Sequence, residues 1–229
     1  MAYFQDSGRP PAINAPASVL ILIAILVLVH AARMLLPAVD AVVTHTMVLI
    51  PAAYTDPTAT LIDKLVPPLG HIFVHASWVH LGVNSVWLLA FGPAAARRFG
   101  TAGFYLFFLI CGLAGAAGFV LWNWGQYEGA IGASGAISGV MAGSFRMLPG
   151  FGAPRAAPTG VSAPLAPVFS GPIIQFAIVW LVLNIVSAYF LIGAFGEVHA
   201  VAWEAHMGGF LAGLFLAGPF DRVFGPRRA

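Results

Sequence analysis

The stretch Gly132-Ala133-Ser134-Gly135-Ala136-Ile137-Ser138-Gly139-Val140-Met141-Ala142-Gly143 sets Ser134 in a small-residue turn that opens a short apolar helix. Gly135, Gly139 and Gly143 recur every four residues, so they share one face of that helix. In lipid, helices gain little by burying apolar surface against each other, and stripes of small residues are what let their backbones approach. A second stripe, Gly209, Gly213 and Ala217, follows Ala205-His206-Met207-Gly208 near the start of the last apolar run. Ser134 precedes its stripe by one residue and His206 precedes its own by three. Two helices packed along these stripes carry a hydroxyl and an imidazole at similar depth.

Composition sets the environment. The chain has 229 residues, 60% hydrophobic and 8% charged, with a mean hydropathy of +0.91. Soluble domains carry roughly 25% charged residues, so an integral membrane protein with several spans is expected. The net charge of +2 and the pI near 9.0 imply no nucleic-acid partner. Cys111 is the single cysteine and lies in an apolar run, which excludes disulfides and cysteine metal sites. The first apolar run begins after about 17 residues without small-residue cleavage chemistry behind it, so no signal peptide is expected.

Six spans are expected. Residues 1–17 read as a loose, Pro-rich cytoplasmic tail, residues 18–222 as the membrane domain, and residues 223–229 as a short basic cytoplasmic tail. The first span runs from Ser18 to Leu36 and is ended by Pro37. Residues 38–76 form a long connection too apolar for a free aqueous loop, expected in the interface or against the bundle. The second span is Trp78 to Ala96, capped by Ser77, and the third is Ala102 to Trp122, after Gly100 as punctuation and Thr101 as cap. Trp122, Trp124 and Tyr127 read as an interfacial belt. The fourth span is Ser134 to about Leu148, the fifth Pro172 to about Phe195, and the sixth ends near Phe220.

An even number of spans puts both termini on one side. That side holds Arg9, Arg97, Arg98, Arg146, Arg155, Arg222, Arg227 and Arg228 against Asp6 and Asp221. The other holds Arg33 and Lys64 against Asp40, Asp56, Asp63, Glu128, Glu197 and Glu204. The arginine-rich side is cytoplasmic by the positive-inside rule, which points Ser134 and His206 outward. With Arg146 at the inner interface, Ser134 stands roughly 18 Å above it, short of the roughly 30 Å core. The fourth helix is therefore expected to be short and recessed.

Ser134 has two readings: a helix N-cap, or a nucleophile beside free N–H groups and a positive helix end suited to an oxyanion. The G-x-S-x-G pattern of soluble hydrolases is absent, because residue 136 is Ala. His206 is either polar glue between helices or a base for Ser134. Glu204 lies about 200° around the helix from His206 and does not serve as a third member. His80 and Asn84, about 40° apart on one helical face, are candidate oxyanion donors. A metal site at His71, His75 and His80 is a weaker alternative, since the segment before Ser77 reads as a loop with Pro67-Pro68, and on a helix His75 and His80 would also point about 140° apart. His30 and His45 have no evident partners and read as structural or interfacial.

Gly132-Ala133-Ser134-Gly135, His75-x4-His80-x3-Asn84 and His206-x2-Gly209-x3-Gly213 together resemble the signature set of the rhomboid intramembrane serine proteases. The resemblance covers the second to sixth spans in order. It implies a six-helix, all-α membrane bundle with Ser134 as nucleophile and His206 as general base. It further implies His80, Asn84 and the Ser134 backbone N–H as oxyanion donors, with no cofactor. The implied partners are lipid and transmembrane substrates, cut near their outer ends where small or helix-breaking residues let the backbone unwind. The short tails imply a minimal, bacterial inner-membrane type. Three departures stand out: the first loop lacks a Trp-Arg pair, Ser138 replaces an aromatic one turn after the serine, and Ala95 or Ala96 replaces an acid near Arg98. The alternatives are a non-catalytic relative that escorts membrane clients, which typically lacks the serine or histidine kept here, and a small transporter, for which no internal repeat is found.

Overall fold

The structure, a computed structural model, describes residues 14–148, 163–190 and 202–226. Most of the N-terminal tail with Arg9, the loop with Arg155, residues 191–201 with the end of the fifth span and Glu197, and Arg227 and Arg228 lie outside the described residues.

Eight α-helices run in chain order among the described residues. Helix α1 (Ala17–Leu35) is apolar throughout, and its buried edge is Val19, Leu22, Leu26 and His30. Pro37 does more than end it. With its φ already set, it opens α2 (Pro37–Met47) at the first helical position. The long first connection is thus substantially helical, continuing through α3 (Leu61–Leu65), with a Thr60/Asp63 capping box, and α4 (Pro67–Gly70). It packs on the bundle: Leu49 and Ile72 are fully buried. Leu49 and Ala130 exchange both backbone hydrogen bonds, at 3.1 and 2.9 Å, and the Ala52 N–H donates to Gln126 O at 2.8 Å. These bonds tie the first connection to the segment that leads into Ser134.

The second and third spans form one run, α5 (Trp78–Trp122), broken at Gly100. Gly100 has φ 68° and ψ 176°, a conformation open to glycine and costly to other residues, so the helix turns there into a second arm. Ser77 caps the first arm, its Oγ accepting from the His80 N–H at 3.1 Å. Helices α6 (Ser134–Phe145), α7 (Gly171–Phe190) and α8 (Trp203–Phe224) follow. The core between α5, α6 and α8 includes Phe104, Phe107, Phe108, Cys111, Ala136, Ile137 and Val140. Among the described residues, three helices are long and apolar enough to cross a membrane: α1, α5 and Gly171–Ala188 of α7. At 12 residues, α6 is short.

At the arginine-rich end, Arg98 meets a carboxylate that local sequence does not offer. Its guanidinium donates to both oxygens of Asp221, at 2.6 and 2.9 Å, from the far end of α8. The acid missing at Ala95 or Ala96 is thereby replaced from 123 residues away. Arg146 is buried and donates to Ala166 O at 2.9 Å and to Leu214 O at 2.7 Å.

Candidate active site

Ser134 is the first residue of α6, and Ala133 occupies the N-cap position without a side-chain cap bond. The capping alternative therefore fails, and Ser134 Oγ is free for another partner. Gly132, just before, has φ 116°, and its N–H donates to His71 O at 2.9 Å. A Cβ there would stand 2.7 Å from His80 Nε2. The turn is thus kept thin so that the His80 ring can lie against it, close to Ser134.

The glycine stripes set the depth of the two polar groups. A Cβ on Gly209 would run into the carbonyl oxygen of Gly135, and one on Gly213 into that of Gly139. Backbone therefore packs on backbone along α6 and α8, and no side chain of either helix can shift the register. Gly139 is pressed from two sides, its would-be Cβ standing 2.5 Å from Cys111 Cβ and Sγ and 2.6 Å from Gly209 O. The second arm of α5 completes a three-helix seam: a Cβ on Gly115 would meet Ala205 O at 2.8 Å. That contribution of α5 was not drawn from its sequence, although Gly112, Gly115 and Gly118 stand at three-residue spacing.

In this register His206 Nε2 lies 2.8 Å from Ser134 Oγ. The other ring nitrogen, Nδ1, lies 2.6 Å from Asn184 Oδ1 on α7. Asn184 is buried, and its Nδ2 donates to Trp180 O at 2.8 Å. Sequence reasoning missed Asn184. The available signal was an amide inside an apolar helix, which lipid makes costly unless it is paired. Another polar group is spent elsewhere: Ser138 Oγ donates to Ser134 O at 2.8 Å.

Asn84 is buried one helical turn below His80 and donates through Nδ2 to His80 O at 2.9 Å, which commits one of its two N–H bonds. His75 lies before α5, which starts at Trp78 as expected, so the divergence of about 140° that a continuous helix would impose does not apply. His75 sits in the approach to the helix, and its ring packs edge-on against His80 with centroids 5.1 Å apart. His71 is bonded through Nδ1 to Pro67 O at 2.9 Å, and His30 packs on Trp78 at 4.5 Å. Among the described residues, no three His, Cys, Asp or Glu side chains come together as a metal site.

A cavity of about 110 Å³ opens on this constellation. Ser134, His206, Asn84 and Ser138 supply its polar wall, and Val83, Trp87, Ile137, Met141 and Trp180 the apolar one.

Comparison with protein families matches the Rhomboid domain to residues 63–221. The chain therefore belongs to the rhomboid family, whose members are typically intramembrane serine proteases. Together with its apolar helices, this makes it an integral membrane protein. No curated protein matches the chain.

Proposed function

We propose that the protein is a serine endopeptidase that hydrolyses peptide bonds of transmembrane substrates, with Ser134 as nucleophile and His206 as general base. The observation that carries this reading is the 2.8 Å approach of His206 Nε2 to Ser134 Oγ beside a cavity in the helix bundle. His206 takes the Oγ proton as the oxygen attacks the substrate carbonyl, then delivers it to the leaving amine. Water next hydrolyses the acyl-enzyme by the same steps in reverse roles. The developing oxyanion is held by the Ser134 N–H, one of the orphan donors at a helix start, with His80 and Asn84 as further donors. A helical substrate hides its carbonyls in its own hydrogen bonds, so the scissile bond must leave the helix. The small, mostly apolar cavity favours segments with small or helix-breaking residues.

The reading carries a topology with it: six spans, both termini cytoplasmic, the site recessed below the outer face, in a bacterial inner membrane. The arginine cluster of Arg97, Arg98, Arg146 and Arg222 at one end of the bundle supports that orientation. The test is cleavage of a model transmembrane substrate by purified protein in liposomes. Ser134→Ala and His206→Ala should each abolish cleavage and leave the protein folded. Cleavage by Ser134→Ala at the wild-type rate would overturn the assignment and favour a protein that only binds membrane clients.

A further inference from the structure

We propose that Asn184 is a positioning residue of this site: its Oδ1 accepts the Nδ1 proton of His206 and so leaves Nε2 free to take the proton of Ser134. The inference rests on the serine-protease reading above and adds a residue to it.

A neutral imidazole carries one proton, and the nitrogen that holds it cannot act as the base. For Nε2 to accept from Ser134 Oγ, the proton must sit on Nδ1. That tautomer is favoured when Nδ1 faces a pure acceptor. Asn184 presents either a carbonyl or an amino group, so its own orientation decides the matter. The Trp180 carbonyl, 2.8 Å from Nδ2, settles it. A carbonyl accepts only from the amino end, which turns Oδ1 toward His206, where it stands 2.6 Å from Nδ1. Reversing the amide would set oxygen against oxygen at Trp180 and amino group against N–H at His206. The chain of constraint runs Trp180 carbonyl, Asn184 amide, His206 ring, Ser134 hydroxyl. Burial removes the competition of bulk water at Asn184.

An amide takes up no proton in this range, so Asn184 orients the ring and does not relay charge. As Nε2 gains the Oγ proton, the Nδ1 proton stays where it was and still donates to Oδ1. Ser138, which also lines the cavity, is turned away and bonds to Ser134 O.

The test uses full-length protein in liposomes, the rate at which a fluorophosphonate probe acylates Ser134, and kcat and KM for a model transmembrane substrate. Asn184→Ala should slow acylation and kcat by roughly 10- to 100-fold, the scale of losing an orienting partner of a functional histidine, with KM unchanged. Asn184→Asp keeps an acceptor oxygen toward Nδ1, with its second oxygen protonated and donating to the Trp180 carbonyl in place of Nδ2, and should recover most of the rate. A folded Asn184→Ala that reacts at the wild-type rate overturns the proposal. So does a folded Asn184→Asp that is no faster than Asn184→Ala, since that leaves a structural role only. If Asn184→Ala does not fold, nitrogen-15 NMR of His206 in the wild type decides: a protonated Nδ1 supports the proposal, and a protonated Nε2 overturns it. Equal labelling of wild type and Ser134→Ala sinks the protease reading itself, a different result from wild-type labelling that ignores Asn184.

Discussion

Helices α6 and α7 both contribute to the site, and they are held in opposite ways. Every residue of α6 from Gly135 to Ser144 is buried, wedged between the second arm of α5 and α8 with glycine backbones in contact. Helix α7 has 17% of its apolar window buried, against 50% for α5. Its outer face shows Ile178, Val179, Val182 and Leu183 more than half exposed. It meets its neighbours through Asn184 and a row of rings, with Phe176 against Phe145 and Phe210, and Trp180 against Phe210. Ser134 and His206 are thus set by backbone packing, which has no rotamers to explore. The third polar atom is delivered by a side chain on a helix that largely faces outward. Precision is concentrated where glycine allows contact, and α7 adds one directed bond to it.

This contrast can be broken at its strong side first. Gly213→Leu puts a branched side chain into the Gly139 carbonyl, which no rotamer avoids. Overpacking of this kind against backbone should cost more than about 3 kcal/mol, read as loss of folded protein in thermal or denaturant unfolding. Retention of wild-type stability would mean that the α6–α8 seam opens readily. Next in size is Arg98→Gln, which strips the carboxylate of Asp221 of its guanidinium at a largely buried pair. Breaking such a pair should cost about 3 kcal/mol, and Asp221→Asn in the same background should recover part of it.

Gly132→Ala separates geometry at the site from stability of the seam. The added methyl would press on His80 Nε2 and force an unfavourable positive φ on alanine. The strain is of order 1–3 kcal/mol. Displacing the proposed oxyanion donor His80 should lower kcat by about 10²-fold, measured on the model substrate, with the unfolding midpoint lowered by no more than that strain accounts for. The smallest effect belongs to the outer face of α7. Leu183→Ala should alter stability by no more than about 0.5 kcal/mol, and a larger loss would show that this face is covered in the working protein.

Much of this arrangement was legible in the chain. Repeats of glycine every four residues announced that α6 and α8 pack closely, and counting from those repeats put Ser134 and His206 level with one another. Glycine 100 announced the break in α5, because its missing Cβ marks where the backbone can leave the helix. The fine structure of residues 38–76 was less legible. Their helices are short, and the bonds that anchor them, Leu49 with Ala130 and Gly132 with His71, join distant segments through main-chain atoms that every sequence shares. The carboxylate for Arg98 was hidden for the same reason of distance, since Asp221 reads on its own as the end of the last helix.

By itself, then, the sequence determined the solvent this protein lives in, which helices touch through glycine, and which hydroxyl and imidazole share a level. Those follow from local composition and helical periodicity, which act on neighbouring residues. Tertiary structure alone decided that His75 meets His80, that Asp221 answers Arg98, and that Asn184 faces His206. Each of these depends on how separate helices are rotated about their axes, and rotation is set by the sum of packing across the bundle.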